Sequence, residues 1–543
     1  MNIMLQMFFG MLFLRVCECY NSVMKIRELI KNIDYEYLQG DLDGEICGLS
    51  HDNRLLKPQE GFICIAGTRF DSHDLIPDVV AKGASLIVVE KDVELPEGVC
   101  AIRVKSSREA SPLLAAAFYG YPATKMKTVA ITGSKGKTTS THMMADIFRK
   151  RGFKTGTIGT NGAIMPICDE ARDRVINADL YKPIICEETA GHYVYELANT
   201  TPDAMEMQMY LALMVESGCT HVIIEVSSQA MKMHRVDGME FDYGIWTNLD
   251  FTDHIGGLEH ADENDLIRCK ANMINQSRIG FLNLDDKSLD RFKAFLNEGK
   301  TLYYYGESEE ADYRGINIEK TFDGYPGIRF EVTGKIEGEV NINLPGEFNA
   351  INALPCVAIA QMENIGFDVI NEALTHLLIR GRFEIVFDNG HFKVCVDFAH
   401  NGYSTFHHLR ALREYRPKRV VCVFGADGNR SLDRRYGMGE ASARLADLSI
   451  ITSGHLRWET YEKITADTLT SFEKVEKETG IKPQYILIKN RQEAITYAIR
   501  NAQEGDIITI IGLGHESWQE EKGVKYVHSD IDFVCKTCRE LGL

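Results

Sequence analysis

The chain has 543 residues, which at roughly 150 residues per domain allows about three or four domains. Hydrophobic residues make up 45% and charged residues 25%, the balance of an ordinary globular protein. The formal net charge of −18 argues against a general nucleic-acid or membrane-surface binder, so any anionic substrate must be held by local positive clusters.

The 14 cysteines are scattered, with no repeated C-x-x-C pairs at zinc spacing, and are expected to be reduced thiols of a cytoplasmic protein. No apolar run reaches transmembrane length. Met4 to Val16 is apolar, like the h-region of an export signal, but no positive n-region precedes it. Residues 1–23 are therefore expected to be a non-domain extension, with Met24 opening the folded part.

Strand and helix patterns alternate from there on, which predicts an α/β fold. Residues 24–121 form a first segment, with short strands expected at Gly61–Ala66 and Ser85–Val89. Residues 122–378 form a second. It opens with a strand at Thr128–Thr132, a glycine-bearing loop and a helix from Thr139, and continues with strands at His221–Val226 and Tyr243–Asn248. Within it, Met165–Leu197 is polar and is expected to be an irregular surface insertion. Residues 379–543 form a third, with strands at Val394–Asp397, Arg419–Phe424, Leu448–Thr452 and Asp506–Ile511.

The sharpest chemical signal is Gly133-Ser134-Lys135-Gly136-Lys137-Thr138-Thr139 after an apolar strand. Glycines let the backbone curl so that its N–H groups face phosphate oxygens, and the helix start adds a favourable field. Lys137 would reach the β- and γ-phosphates and Thr138 would hold Mg²⁺. The loop is a shortened form, with Ile131 where another glycine is usual.

Next comes Ile223-Ile224-Glu225-Val226-Ser227-Ser228. Its carboxylate either holds Mg²⁺ at a strand end or caps the following helix. Asn248-Leu249-Asp250-Phe251-Thr252-Asp253-His254 with Lys270 is either a metal site or a polar loop, and taken alone the loop is the simpler reading. Leu344–Ala353, Gly381-Arg382-Phe383-Glu384, Val396-Asp397-Phe398-Ala399-His400 and Gly512-Leu513-Gly514-His515-Glu516 are individually compatible with turns and caps.

Together and in this order, these motifs resemble the Mur ligase family over nearly all of residues 24–543. They are most similar to its tripeptide-synthetase branch, which adds lysine or meso-diaminopimelate to a peptidoglycan precursor. Asp52-Asn53-Arg54 and Gly67–Asp74 look like that branch's UDP-binding segment. Asn199-Thr200-Thr201-Pro202 looks like its substrate-binding T-T-P, and Ser227, Gln229 and Arg235 fall in a similar E-V-S-S stretch.

The resemblance implies three domains: UDP-binding α/β, central P-loop ATPase and carboxy-terminal Rossmann-like. It also implies ATP and Mg²⁺, with UDP-N-acetylmuramoyl-L-alanyl-D-glutamate and a free amino acid as substrates. No nucleic acid or membrane is expected, and the chain is expected to be a monomer.

By the same resemblance, Gly133 to Thr139 bind the phosphates. Thr138 and Glu225 hold one Mg²⁺, while His254 and a carbamylated Lys270 serve a second. Asn349, Arg382 and Asp397 bind ATP. Asn53, Thr200, Thr201, Ser227 and Arg235 bind the nucleotide substrate. Arg430, Gly454, Arg457, Gly512 and Glu516 receive the incoming amino acid.

The chain departs from the family in three places. Gly454-His455-Leu456-Arg457 stands where diaminopimelate enzymes read D-N-P-R, Leu513 replaces a lysine, and Asn401-Gly402 replaces T-P. Arg457 could fork onto a distal carboxylate, which favours diaminopimelate, whereas the spacing from His254 to Lys270 looks lysine-type. A folylpolyglutamate or polyamino-acid ligase and a non-catalytic paralogue are the rival readings.

Overall fold

The computed structural model describes residues 23–67, 70–166, 192–251, 260–322 and 326–543. It divides into two compact units, Met1–Arg314 with Pro355–Val369, and Gly315–Leu354 with Ile370–Leu543. Both are α/β, as the alternating pattern predicts. The expected bounds at 121/122 and 378/379 are not the bounds of these units: residues 315–354 and 370–378, expected with the second segment, belong to the second unit.

Among the described residues the first unit contains two large sheets beside a two-stranded pair, Met24–Lys25 with Glu45–Ile46. A five-stranded sheet runs Glu36–Gln39, Cys100–Arg103, Leu86–Val89, Glu60–Ile63, Gly48–Ser50, with only the first pair antiparallel. Every residue of Glu60–Ile63 and Leu86–Val89 is buried, which is why these parallel strands read as apolar runs rather than alternating ones.

The parallel core of the other sheet runs Thr155–Gly159, His221–Glu225, Lys127–Thr132, Phe241–Trp246, Ser277–Asn283, Thr301–Gly306. The chain order reverses at Lys127–Thr132. Its helix Lys137–Lys150 leads to Thr155–Gly159 on one side, while Phe241–Trp246 lies on the other. Such a reversal opens a crevice at the carboxyl ends of the strands.

The helix Ala204–Glu216 is buried on most of its circumference and rich in methionine, a side chain that fills irregular gaps. Asp203 caps it, accepting from the N–H groups of Met205 and Glu206. The helix packs on Ser107–Phe118 within one hydrophobic core, and so joins the two sheets of this unit.

One expectation needs correction. Met165–Leu197 is not irregular at its described ends; residues 167–191 lie outside the described set. Gly162–Pro166 and His192–Tyr195 pair as antiparallel strands, with Ala163 opposite Tyr195. Alternation decides this, because Tyr193 and Tyr195 turn inward while His192 and Val194 are half-exposed.

The second unit has a six-stranded sheet in the order Glu384–Asp388, Lys393–Asp397, Asp506–Ile511, Arg419–Phe424, Leu448–Ile451, Tyr485–Leu487. All neighbours are parallel except the first pair. Asp506–Ile511 enters between two earlier strands, so this sheet also has a reversal point. Its core gathers the inward residues of the strands with Ala494, Ile495, Ile531 and Val534 of two covering helices. Pro326–Gly334 and Gly338–Ile342 form an antiparallel pair in this unit.

Two of the family departures have packing reasons. Asn401 forms a capping box with Ser404 at the start of the helix Gly402–Glu414. Gly402 lies against Gly437 of the next helix, where a Cβ would strike backbone. Leu513 is 1% exposed, so an apolar side chain fills that position. Among the described residues no helix is long and apolar enough to cross a membrane.

Arg491 and Asp530 form a fully buried bidentate pair, with N–O distances of 2.7 and 2.6 Å, and His528 adds a third contact at 2.8 Å. Burial pushes the Asp530 carboxyl up, but Arg491 and His528 outweigh it and hold it at about 2. We predict that Asp530→Ala lowers stability by about 3–5 kcal/mol, because it strands a buried guanidinium. The folded carboxyl sits below its unfolded value of about 3.9. Its contribution is therefore full above that pH and is lost as pH falls through about 2. Chemical denaturation of both proteins at neutral pH measures this, and equal midpoints would refute it.

Candidate functional site

The strand Lys127–Thr132 ends in the loop Gly133–Gly136, and the helix starts at Lys137. Gly133 and Gly136 have φ of 147° and 86°, a region that favours glycine. A Cβ at Gly133 would overlap the Thr247 hydroxyl. Residues after the neighbouring strand pin the loop. Ser134 N–H donates to the Asn248 carbonyl at 3.0 Å, and Lys135 N–H donates to Asn248 Oδ1 at 2.9 Å. Ser134 Oγ accepts from Asp250 N–H at 2.9 Å. The described part of the Asn248–His254 motif thus shapes the phosphate loop; His254 itself lies outside the described residues.

Lys137 donates to the Gly133 carbonyl at 2.8 Å. Thr138 Oγ1 donates to Glu225 Oε2 at 3.0 Å. Glu225 is 1% exposed, and its Oε1 accepts from Thr160 N–H at 3.0 Å while Oε2 accepts from Thr160 Oγ1 at 3.1 Å. Burial pushes this carboxyl up; the Lys137 charge and the Thr160 and Thr138 hydrogen bonds oppose it.

The expected substrate residues gather around the same residue, through Thr160 and through the Glu225 carbonyl. Thr200 and Thr160 hydroxyls lie 3.2 Å apart. Thr201 Oγ1 donates to the Glu225 carbonyl at 2.8 Å and accepts from Ser227 N–H at 3.0 Å, and Arg235 donates to the Thr201 carbonyl at 2.7 Å. Asn53 is elsewhere, donating to Asp78 at 3.2 Å, although its neighbour His51 lies 3.9 Å from Asp203 beside the T-T-P stretch. Thr160 carried no motif and was missed.

Lys270 lies on the helix Glu263–Asn275 and is 1% exposed. Its ammonium is held well below its ordinary value, first by burial and then by the charge of Lys137. No carboxylate among the described residues pairs with it.

In the second unit, strand ends gather the expected residues. Asp397 accepts from Phe383 and Ala399 N–H, each at 2.7 Å, and its carbonyl accepts from Gly512 N–H at 3.2 Å. Arg382 stacks over Phe398 at 4.7 Å. A Cβ on Gly454 would come within 2.6 Å of the Gly425 carbonyl, so two loops touch through backbone. His455 Nε2 lies 2.9 Å from Glu516 Oε2. Arg457 lies 3.6 Å from both the Asp427 and the Glu520 carboxylates. Arg430 is exposed. Asn349 is used within its own turn, donating to the Pro345 carbonyl at 2.8 Å. Asp427, His455 and Glu520 were given no role from sequence, since only the fold brings them together.

The first unit therefore offers curled backbone, a lysine and oxygen donors suited to a triphosphate with a hard divalent cation. The second offers carboxylates and arginine suited to a small zwitterion.

Two family models match the chain: the Mur ligase middle domain over residues 131–360, and the Mur ligase, glutamate ligase domain over residues 381–514. The UDP-N-acetylmuramoyl-L-alanyl-D-glutamate--2,6-diaminopimelate ligase 1 of Clostridium acetobutylicum is 34% identical, over 93% of this chain and 97% of its own. The ligase so named from Clostridium perfringens is 31% identical, over 91% and 96%. A solved structure of a ligase of that name superposes with a TM-score of 0.63 at 21% identity, over 96% of this chain and all of that one.

Gly159 ends the strand beside Glu225, and a Cβ there would overlap Glu225 Oε1 and lie 2.7 Å from Cδ. We predict that Gly159→Ala costs about 1–3 kcal/mol from overpacking and weakens Mg–ATP binding about tenfold by displacing a charged ligand. Calorimetric titration with Mg–ATP checks this; unchanged affinity would show that Glu225 is not aimed at the nucleotide.

Proposed function

We propose that this chain, which belongs to the Mur ligase family, joins meso-diaminopimelate to UDP-N-acetylmuramoyl-L-alanyl-D-glutamate, converting ATP to ADP and phosphate. The observation that carries it is the loop Gly133–Thr139 hydrogen-bonded to a buried Glu225 that also ties in Thr200 and Thr201. Similarity over nearly the whole chain to ligases of that name supports it. The segments 24–121, 122–378 and 379–543 are proposed as the three domains, and the setting as a cytoplasmic monomer.

In this reading the D-glutamate carboxylate attacks the γ-phosphorus, the bond to the bridging oxygen breaks, and ADP leaves. The amine then attacks the acyl phosphate, phosphate departs, and an amide remains. A free carboxylate is a poor electrophile, so phosphorylation supplies the leaving group. Positioning and charge neutralisation are what such a transfer asks of the protein.

Lys137 and the loop N–H groups hold the β- and γ-phosphates. Asn349, Arg382 and Asp397 hold the nucleotide. Thr200, Thr201, Ser227, Arg235 and Asn53 hold the UDP substrate. Arg430, Arg457, Gly454, Gly512 and Glu516 receive the amino acid.

Thr138, Glu225, His254 and Lys270 are proposed to hold Mg²⁺. The described donors fit, because Glu225 and Thr138 present hard oxygen atoms in a buried place. Bound Mg²⁺ would neutralise phosphate charge. Lys270 is buried without a carboxylate partner among the described residues, and carbamylation would turn it into an anionic oxygen ligand.

A second reading, lysine as the amino acid, is favoured by one observation: Arg457 already has two carboxylates at 3.6 Å. Incubation with ATP, Mg²⁺, the UDP-dipeptide and each amino acid, read by mass spectrometry, separates the two. Product with neither would overturn the proposal.

We predict that Lys137→Ala abolishes ligation while the thermal transition is retained; near-wild-type turnover would remove the phosphate role. Lys270→Ala is expected to lose nearly all activity and to recover part of it with a short-chain carboxylic acid. Full activity without rescue would reduce Lys270 to a packing residue.

A further inference from the structure

The loop Gly454–Arg457 departs most from the family pattern, and its histidine has an unusually complete set of contacts. The His455 residue is 3% exposed. Its Nδ1 accepts from Glu520 N–H at 3.2 Å. A backbone N–H can only donate, so Nδ1 presents its lone pair and the proton sits on Nε2. The 2.9 Å contact to Glu516 Oε2 therefore runs from imidazole N–H to carboxylate.

The rest of the residue is anchored as well. The ring packs on Trp518, with centroids 4.4 Å apart, and Lys525 covers Trp518. The His455 N–H donates to Asp427 Oδ1 at 3.2 Å, and its carbonyl accepts from Gly428 N–H at 2.8 Å. Gly454 makes this possible. A Cβ there would lie 2.6 Å from the Gly425 carbonyl and 3.1 Å from Asp427 Oδ1, so any side chain would push the two loops apart.

Glu516 gains an orientation from this arrangement. Among the described residues His455 is its side-chain partner, and that contact uses Oε2 alone. The side chain is 22% exposed, which leaves Oε1 for a ligand. A carboxylate on a freely rotating stem would have to give up rotamer freedom when it met an ammonium. Here that entropy is lost on folding, so less is lost on binding.

We propose that His455 is a positioning residue that orients Glu516 to receive the ammonium of the incoming amino acid, and so sets the affinity of this site for an amine. This rests on the ligase reading above and on the amine role assigned there to Glu516. His455 touches neither the reacting carbon nor the phosphate. It acts through Glu516, and its effect falls on binding of the amino acid rather than on turnover.

The test compares His455→Phe with His455→Gln. Phenylalanine keeps the ring against Trp518 but removes both nitrogen atoms. Glutamine restores an N–H donor at similar reach. Steady-state kinetics are measured with meso-diaminopimelate and with L-lysine as the varied substrate, using whichever the wild-type enzyme accepts.

His455→Phe is expected to raise KM for the amino acid about tenfold or more, as for a lost charge-assisted hydrogen bond. The KM values for ATP and the UDP-dipeptide should be unchanged and kcat within about twofold. His455→Gln should return most of the lost affinity. An unchanged KM in His455→Phe would overturn the inference, and so would equal rises for all three substrates, which mark a merely structural role. If His455→Phe fails to fold, His455→Leu takes its place: a KM raised for the amino acid alone and recovered in His455→Gln supports the inference, and an unchanged KM in His455→Leu overturns it. Wild-type protein that ligates neither amino acid would overturn the ligase reading, and this inference with it.

Discussion

Glu225 places its carboxylate where water does not reach, and no side chain among the described residues forms a direct ion pair with it. Burying an unpaired charge is costly unless hydrogen bonds replace its hydration. Here the replacements come from Thr138 on the loop's helix and Thr160 after the next strand, while Thr201 donates to the main-chain carbonyl of the same residue. Each donor belongs to a different segment. Glu225, through carboxylate and carbonyl together, thus ties the glycine loop to the T-T-P stretch and, through Arg235, to the turn that follows. Lys137 contributes a long-range opposing charge. A buried carboxylate held by hydroxyls, rather than by a fixed cation, suits the divalent-ion role proposed for it.

The second unit meets a different constraint. Its strand ends carry short loops that must lie close together, and backbone approach of Gly425 to Gly454 and of Gly428 to Leu456 achieves this. Where glycine brings carbonyls together, acidic side chains can reach neighbouring N–H groups. Asp397 and Asp427 do so, and in both cases a carboxylate serves as a structural acceptor before it serves any ligand. Asp397 in particular holds the Phe383 turn, so Arg382 is carried to its place over Phe398 by that turn.

What could be read in advance follows the range of the interactions. Buried parallel strands and the glycine loop are local patterns, and Arg419–Phe424 and Asp506–Ile511 fall on their expected bounds. The helix expected from Thr139 begins at Lys137, because Gly136 in the left-handed region ends the loop earlier. Thr138 and Glu225 were singled out separately, but the bond between them spans 87 positions and has no local signature. The same holds for His455 and Glu516, which are 61 positions apart. Asn401 and Leu513 are two of the departures from the family pattern. Their surroundings give them packing roles, as a capping box and a buried apolar contact. Among the departures from the family pattern, Gly454–Leu456 therefore bears most directly on the amino acid.

That loop also changes how Arg457 should be understood. Its residue has φ of 50°, a strained value for a side chain with a Cβ, held by the N–H bond to the Glu520 carbonyl. The guanidinium thus stands between the Asp427 and Glu520 carboxylates at 3.6 Å, beyond ordinary hydrogen-bond length. One positive charge faces two negative ones there, and the guanidinium's hydrogen bond among the described residues is a long one, from Nη1 to the Gly428 carbonyl at 3.4 Å. A distal carboxylate on the incoming amino acid could take up those donors only by entering beside two negative groups. A distal ammonium meets the same two groups as attraction and displaces neither. Arg457 favours the first and its neighbours the second. If this loop receives the amino acid as proposed, the preference between diaminopimelate and lysine is a property of Asp427, Arg457 and Glu520 together, and removing the arginine alone would change the balance without isolating its cause.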